Sequence, residues 1–223
     1  MIDFNKLIDE YLYRKSRPKG VGRYYPSEAG NCLRKVWYSY KYPKDIDPEK
    51  RKIFEMGNIL HDFVVEVLKS EKTPSVRLLE SEVPFTLKVD DFLISGRVDT
   101  VIVVKLDGKK YVVEVKSTRF LFDEPQKHNI MQLQFYMHAL KIHNGMLLYI
   151  EKNSLQSKVF EIKFDQEIVN KVLERFRKLH KCLVENVLPL PEARINKDEM
   201  DWMCKLCEYR DRCFEETPKA RKM

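Results

Sequence analysis

The stretch from Ser95 to Thr118 reads SGRVDTVIVVKLDGKKYVVEVKST, and it decides the fold class. Two valine-rich runs flank Asp107-Gly108, a dipeptide suited to a two-residue hairpin turn because both central residues take positive φ. The pattern predicts strands over 92–105 and 109–118, with Leu106 paired to Lys109. Carried along the ladder, that register sets Asp99 opposite Lys116 and Glu114 opposite Val101. A slip of two residues changes the partners but keeps the faces, since strand side chains alternate with a period of two. Asp99, Glu114 and Lys116 therefore share one side, while Val98, Val113 and Val115 cover the other.

Two carboxylates beside an ammonium suit a hard divalent cation such as Mg²⁺ or Mn²⁺, which takes oxygen ligands and phosphate. Such a cation lowers the pKa of water and stabilises charge developing on a phosphoryl group. A neighbouring lysine can orient that water. The competing reading is an exposed strand face crossed by ion pairs worth a few tenths of a kcal/mol each.

Outward from the hairpin, a third strand over 77–89 completes an antiparallel meander. Upstream, Asp47-Pro48 is a capped helix start, and the helix runs to about residue 70 with Phe54, Gly57, His61, Val64 and Leu68 on one face. Taken alone, His61 reads as a core histidine beside that apolar stripe. Ser27 is positioned to cap a helix over EAGNCLRKVWYSY, which carries Cys32, Val36 and Tyr40 along one stripe. Phe4, Leu7, Ile8, Tyr11 and Leu12 mark an N-terminal amphipathic helix, followed by the basic loop RKSRPKGVGR. Downstream come a helix over 125–143, a strand over 146–151, a turn at Asn153-Ser154, a strand over 157–164 and a helix over 166–186. Pro189 and Pro191 then break the pattern. Helices on both sides of a run of strands predict an α/β fold with a mixed sheet.

Composition removes several classes. The chain has 223 residues, 43% of them hydrophobic, so it can bury a core and is neither disordered nor a disulfide-stapled mini-fold. No apolar run approaches the ~20 residues of a membrane span, and the N-terminus does not read as a signal peptide. A soluble, cytoplasmic protein is expected. The formal charge of +7, from 41 Lys+Arg against 34 Asp+Glu, is a weak pointer to a polyanionic partner. Five cysteines without a secretion signal argue against disulfides. Cys204, Cys207 and Cys213 have metal-ligand spacing, and a fourth ligand must come from Cys32, Cys182 or a histidine. Thiolates in this number suit zinc or an iron–sulfur cluster, which spacing cannot separate.

GRVD followed by EVK resembles the core of PD-(D/E)XK nucleases, and more narrowly the RecB-like branch. Three further features carry the likeness: His61 in GNILH, Gln132 and Tyr136 in QLQFY, and Cys32 in GNCLRKVWY with the three cysteines of CKLCEYRDRC. The compact chain is similar to the CRISPR-associated exonuclease family. That resemblance implies a restriction-endonuclease-like core with a central mixed sheet flanked by helices. An Fe–S module, formed by the N-terminal helix and the C-terminal tail, would hold a [4Fe–4S] cluster on Cys32, Cys204, Cys207 and Cys213, with [2Fe–2S] or zinc as alternatives. The implied organisation is a single nuclease domain over 1–223, with the Fe–S module at 25–45 and 188–215, the catalytic sheet at 71–164 and a basic tail at 216–223.

By the same resemblance, His61, Asp99, Glu114 and the Val115 carbonyl bind Mg²⁺ or Mn²⁺. Lys116 assists the attacking water, and Gln132 and Tyr136 position the strand or Lys116. Gln134 is the neighbouring alternative to Gln132 but lies on another side of the helix. The implied activity is a metal-dependent deoxyribonuclease, a 5′ to 3′ exonuclease on single-stranded DNA. It would act in CRISPR spacer acquisition beside the integrase complex. A RecB-like repair nuclease outside CRISPR and a non-catalytic DNA-binding module are the alternatives. Arg14, Arg17, Arg23, Arg34, Lys35 and Arg119 are expected to track the DNA backbone, with Trp37, Tyr38 and Phe120 as platforms for bases.

Overall fold

The structure is a computed structural model that describes residues 1–104 and 108–216. The turn read at Asp107-Gly108 and the tail read at 216–223 thus fall largely outside the described residues. A short N-terminal helix α1 (Phe4–Leu12) is capped by the Asp3 carboxylate and buries none of its residues. Strand β1 (Arg23–Tyr24) precedes helices α2 (Leu33–Lys41) and α3 (Pro48–Lys69). The long strands β2 (Val76–Val89), β3 (Phe92–Val104) and β4 (Lys110–Thr118) follow. Helix α4 (Lys127–Leu140) leads to β5 (Asn144–Glu151), β6 (Ser157–Lys163) and helix α5 (Gln166–Val184). Three short helices, α6 (Glu192–Ile195), α7 (Lys197–Lys205) and α8 (Arg210–Glu215), complete the described chain.

The six strands form one mixed sheet in the order β1-β3-β4-β5-β6, with β2 on the other edge of β3. β4 and β5 are parallel and α4 is their crossover, so the expected α/β class holds. Leu60 and Val64 of α3 pack on Ile150, Leu148 and Val115 from one face of the sheet. Leu133, Tyr136 and Met137 of α4 pack on Val98, Val112 and Leu147 from the other. Beyond α4, residues Trp37 and Tyr38 of α2 join Phe92, Phe135 and Phe176 in the largest apolar cluster. Among the described residues, no helix is long and apolar enough to cross a membrane.

Two sequence expectations need correction. The β3–β4 ladder closes where the Val104 N–H donates to the Lys109 carbonyl, so the register is displaced by two residues from the expected one. Thr100 faces Val113, which brings Asp99 level with Glu114 instead of Lys116. Alternation also breaks in β3: Val98 and Val101, three residues apart, join the same cluster on the α4 face, while Val113 lies on the other side. The neighbouring β2 explains the break, with a bulge between Leu78 and Glu80 and a positive φ of 53° at Glu82. The second correction concerns α2, which starts at Leu33 with Cys32 at its N-cap, not at Ser27. Pro26–Glu28 instead form a 3₁₀ turn, held by the buried Glu28 carboxylate, which accepts from Lys19 and the Tyr40 hydroxyl.

Candidate active site and cysteine cavity

The site forms where β3 and β4 part. Beyond Thr100 and Val113 the Val115 N–H donates to the Asp99 carboxylate at 3.0 Å, so a side chain occupies the position of the next ladder bond. Helix α3 brings His61 to this opening, and the kinked segment of β2 brings Glu82. One ligand atom from each of His61, Glu82 and Asp99 lies within 4.8 Å of the others. Glu82 was missed in the sequence, where ESE reads as ordinary strand alternation; its φ is positive, and its carboxylate lies 3.7 Å from His61.

Glu114 is almost wholly buried, and its Oε1 lies 2.6 Å from the Lys116 ammonium. The other oxygen, Oε2, is buried without a hydrogen-bond partner, and so is Nε2 of His61. Buried polar atoms left without partners are costly unless something is bound to them. One nitrogen and several carboxylate oxygens match a hard or borderline divalent cation, so the residues present fit such an ion.

Electrostatics point the same way. Burial pushes the Glu114 carboxyl up to about 8, and the Asp99 carboxylate adds to the shift while Lys116 opposes it. Burial also raises Asp99 above its usual range, against the Val115 N–H and Lys116. At Lys116, burial works against the charge, but Glu114 and Asp99 prevail and hold the ammonium above its usual value. Two carboxylates and one ammonium carry an excess negative charge, which a proton on the carboxylate pair neutralises.

Lys116 also donates to Gln132 Oε1 at 3.1 Å, and Gln132 Nε2 donates to the Tyr136 hydroxyl at 2.9 Å. The i, i+4 spacing on α4 places both over the site. Gln134 faces elsewhere, donating to the Lys163 carbonyl and accepting from the Asp165 N–H. Burial and the Glu114 charge raise the Tyr136 hydroxyl, so it stays protonated as a neutral group.

The expected DNA contacts fare unevenly. Arg14, Arg17, Arg23 and Arg119 are exposed. Arg34 is not: it is 5% exposed and its Nε donates to the Pro189 carbonyl, because α2 packs into the core and turns this residue towards the chain after α5. Lys35 sits 3.4 Å from the Glu208 carboxylate. Trp37 and Tyr38 are buried in the apolar cluster and offer no face to a base, whereas Phe120 is exposed.

Cys32, Cys204, Cys207 and Cys213 line one cavity together with Arg34, Lys35 and Arg210. Cys32 reaches it from the start of α2, Cys204 and Cys207 from the end of α7 and the turn after it, and Cys213 from α8. Cys182 is not part of the lining; it packs against the main cluster, where its carbonyl accepts from the Trp37 indole. Among the described residues, no three cysteine sulfurs lie within 4.8 Å of one another.

A sheet that carries an Asp on one strand and a Glu-x-Lys on the next, with a histidine close by, is the arrangement of a nuclease of the PD-(D/E)XK type. The chain belongs to the PD-(D/E)XK nuclease superfamily, whose sequence profile matches residues 10–214. A relative is the CRISPR-associated exonuclease Cas4 of Saccharolobus solfataricus, 26% identical over 214 residues that span 91% of this chain and 96% of that protein. In fold the chain is similar to the crystal structure of SSO0001, with a TM-score of 0.64, 24% identity and coverage of 95% and 94% of the two chains. A phage-related exonuclease from Haemophilus somnus has a TM-score of 0.51 at 12% identity, covering 82% of this chain and 99% of that one.

Proposed function

We propose that this protein hydrolyses phosphodiester bonds in DNA with Mg²⁺ or Mn²⁺, trimming single strands from an end in the 5′ to 3′ direction. The observation that supports this best is the convergence of His61, Glu82 and Asp99 beside the buried Glu114–Lys116 pair. When bound there, a divalent cation supplies a water of lowered pKa and a positive counter-charge for the phosphate. His61, Asp99 and Glu114 would hold it, with Glu82 and the Val115 carbonyl completing the set. Lys116, anchored between Glu114 and Gln132, presents its ammonium where charge develops on the phosphoryl oxygens. Tyr136 keeps Gln132 in place, which in turn keeps Lys116 from swinging into solvent.

The four cysteines would hold a [4Fe–4S] cluster. The support for this reading is that all four cysteines line one cavity. The lining arginines and lysine offset the charge of four thiolates. Similarity to a CRISPR-associated exonuclease supports a CRISPR role, and within it we place the protein in spacer acquisition, next to the integrase complex.

The test is digestion of end-labelled single-stranded DNA in Mn²⁺, wild type beside Glu114→Ala. Wild type should release label from a 5′ end first, and Glu114→Ala should be slower by 10²-fold or more. Equal degradation by both removes Glu114 from the mechanism; no degradation by either removes the nuclease reading for this chain.

A further inference from the structure

At the carboxyl end of β4, a cleft of about 520 Å³ opens beside Lys116. Four aromatic rings from separate parts of the chain line it: Phe122, His128, Tyr149 and Trp202. They come as two pairs, Phe122 edge-on to Tyr149 at 5.3 Å and His128 beside Trp202 at 5.2 Å. Tyr149 is wholly buried as the floor, its hydroxyl accepting from the Gln126 N–H and the Asn129 amide. Trp202 is 44% exposed and Phe122 36%, so each has a ring surface still to cover. Burial lowers His128 to about 4, which keeps its ring uncharged at neutral pH.

Charge is placed separately from the rings. Lys116 stands at one end of the cleft and Arg119 on its lining, so phosphates have cations while the floor stays aromatic. The volume lies in the range of small-molecule pockets, too small for a duplex and sufficient for a nucleoside. The faces of paired bases are covered by their neighbours, whereas an unpaired or terminal base has a free π-face.

We propose that this cleft is the subsite for an unpaired nucleobase, stacked on Trp202 and Phe122, whose nucleotide adjoins the phosphate held at Lys116. The inference rests on the DNA-nuclease reading and deepens it: preference for single strands arises here, from a ring surface that a duplex cannot fill. Trp202 stands two residues before Cys204 on α7, so the cysteine module positions this wall of the cleft.

The test uses the full chain with its metal content intact and a fluorescent single-stranded 10-mer, unmodified or with one abasic nucleotide at each position in turn. Binding is measured without added divalent cation and cleavage in Mn²⁺, for wild type, Trp202→Ala, Trp202→Phe and Phe122→Ala. Base–aromatic stacking predicts that Trp202→Ala and Phe122→Ala each weaken binding and raise KM about 5- to 150-fold, with kcat within a few-fold of wild type. Trp202→Phe should recover most of the loss. In wild type, one abasic position should cost at least that factor, and in Trp202→Ala the same lesion should cost less, leaving only the share carried by Phe122. Wild type that cuts, with Phe122→Ala and Trp202→Ala binding within twofold of it, overturns the subsite; so does an abasic penalty undiminished in Trp202→Ala. If Trp202→Ala fails to fold beside the cysteines, Phe122→Ala and Trp202→Phe decide alone. Wild type that neither binds nor cuts single strands overturns the nuclease reading itself, and this inference with it.

Discussion

Metal binding should be driven by pH through one buried proton. Glu114 is raised to about 8 by burial and the nearby Asp99 carboxylate, so near neutrality the metal-free site holds a proton that a cation must displace. For one competing proton with that pKa, apparent Mn²⁺ affinity scales with the fraction of Glu114 ionised. That fraction rises from about 1% at pH 6 to about 50% at pH 8, so affinity should rise about 50-fold, then less than twofold further by pH 9. Calorimetric titration of Mn²⁺ into metal-stripped site, in buffers of different ionisation enthalpy, should count close to one proton released at pH 7. Glu114→Gln retains the shape and has no proton to lose, so the steep rise should vanish. The same shift has an opposite consequence without metal: the folded state binds a proton that the unfolded state has released. Stability of the metal-free protein should therefore fall as pH rises from about 4.5 to 8. A wild-type affinity that changes less than fivefold between pH 6 and 8, or an identical slope in Glu114→Gln, would refute the reasoning.

Glu82→Gln should weaken Mn²⁺ binding about 10- to 100-fold while leaving the melting temperature near wild type, since Glu82 is half exposed and packs little; unchanged affinity would remove it from the ligand set. Cys204→Ala should lose both the visible absorption of the proposed cluster and thermal stability before the chemistry at Asp99 is touched, because that cluster would tie the start of α2 to the C-terminal helices. A purified variant with unchanged iron content and melting temperature would sink that account. Gly30→Ala should destabilise by about 1–3 kcal/mol or more, because the added methyl would sit 2.4 Å from Cβ and 2.5 Å from Cα of His128, at the start of α4. Denaturant unfolding would measure it, and a change below 0.5 kcal/mol would show that this crossing can open freely.

Much of the fold was legible because its signals are local. Valine alternation marked β3 and β4, Asp47-Pro48 marked the start of α3, and the face shared by Glu114 and Lys116 follows from a period of two. The pairing of Gln132 with Tyr136 follows from helical spacing, and the structure adds only that their chain ends on Lys116. Less legible was anything that depends on irregular backbone. The ladder closed at Val104 rather than Leu106, and β2 kinked at Glu82, which brought an acidic side chain no alternation pattern would select. The basic and aromatic residues of α2 were misread for a related reason: Arg34, Trp37 and Tyr38 carry the composition of a DNA-binding face, yet their helix is packed inward.

By itself, then, the sequence determined the element order, the face shared by Glu114 and Lys116, and the metal-ligand spacing of Cys204, Cys207 and Cys213. Those properties rest on spacing along the chain, which propensity and periodicity enforce before any long-range contact forms. Only the tertiary structure decided that Glu82 joins His61 and Asp99, that Glu114 is buried deeply enough to keep a proton, and that Trp202 and Phe122 line one cleft. Each depends on segments tens of residues apart meeting at one place, and on the burial that meeting produces. Burial sets the cost of charge and the value of an aromatic face, and no local pattern encodes it.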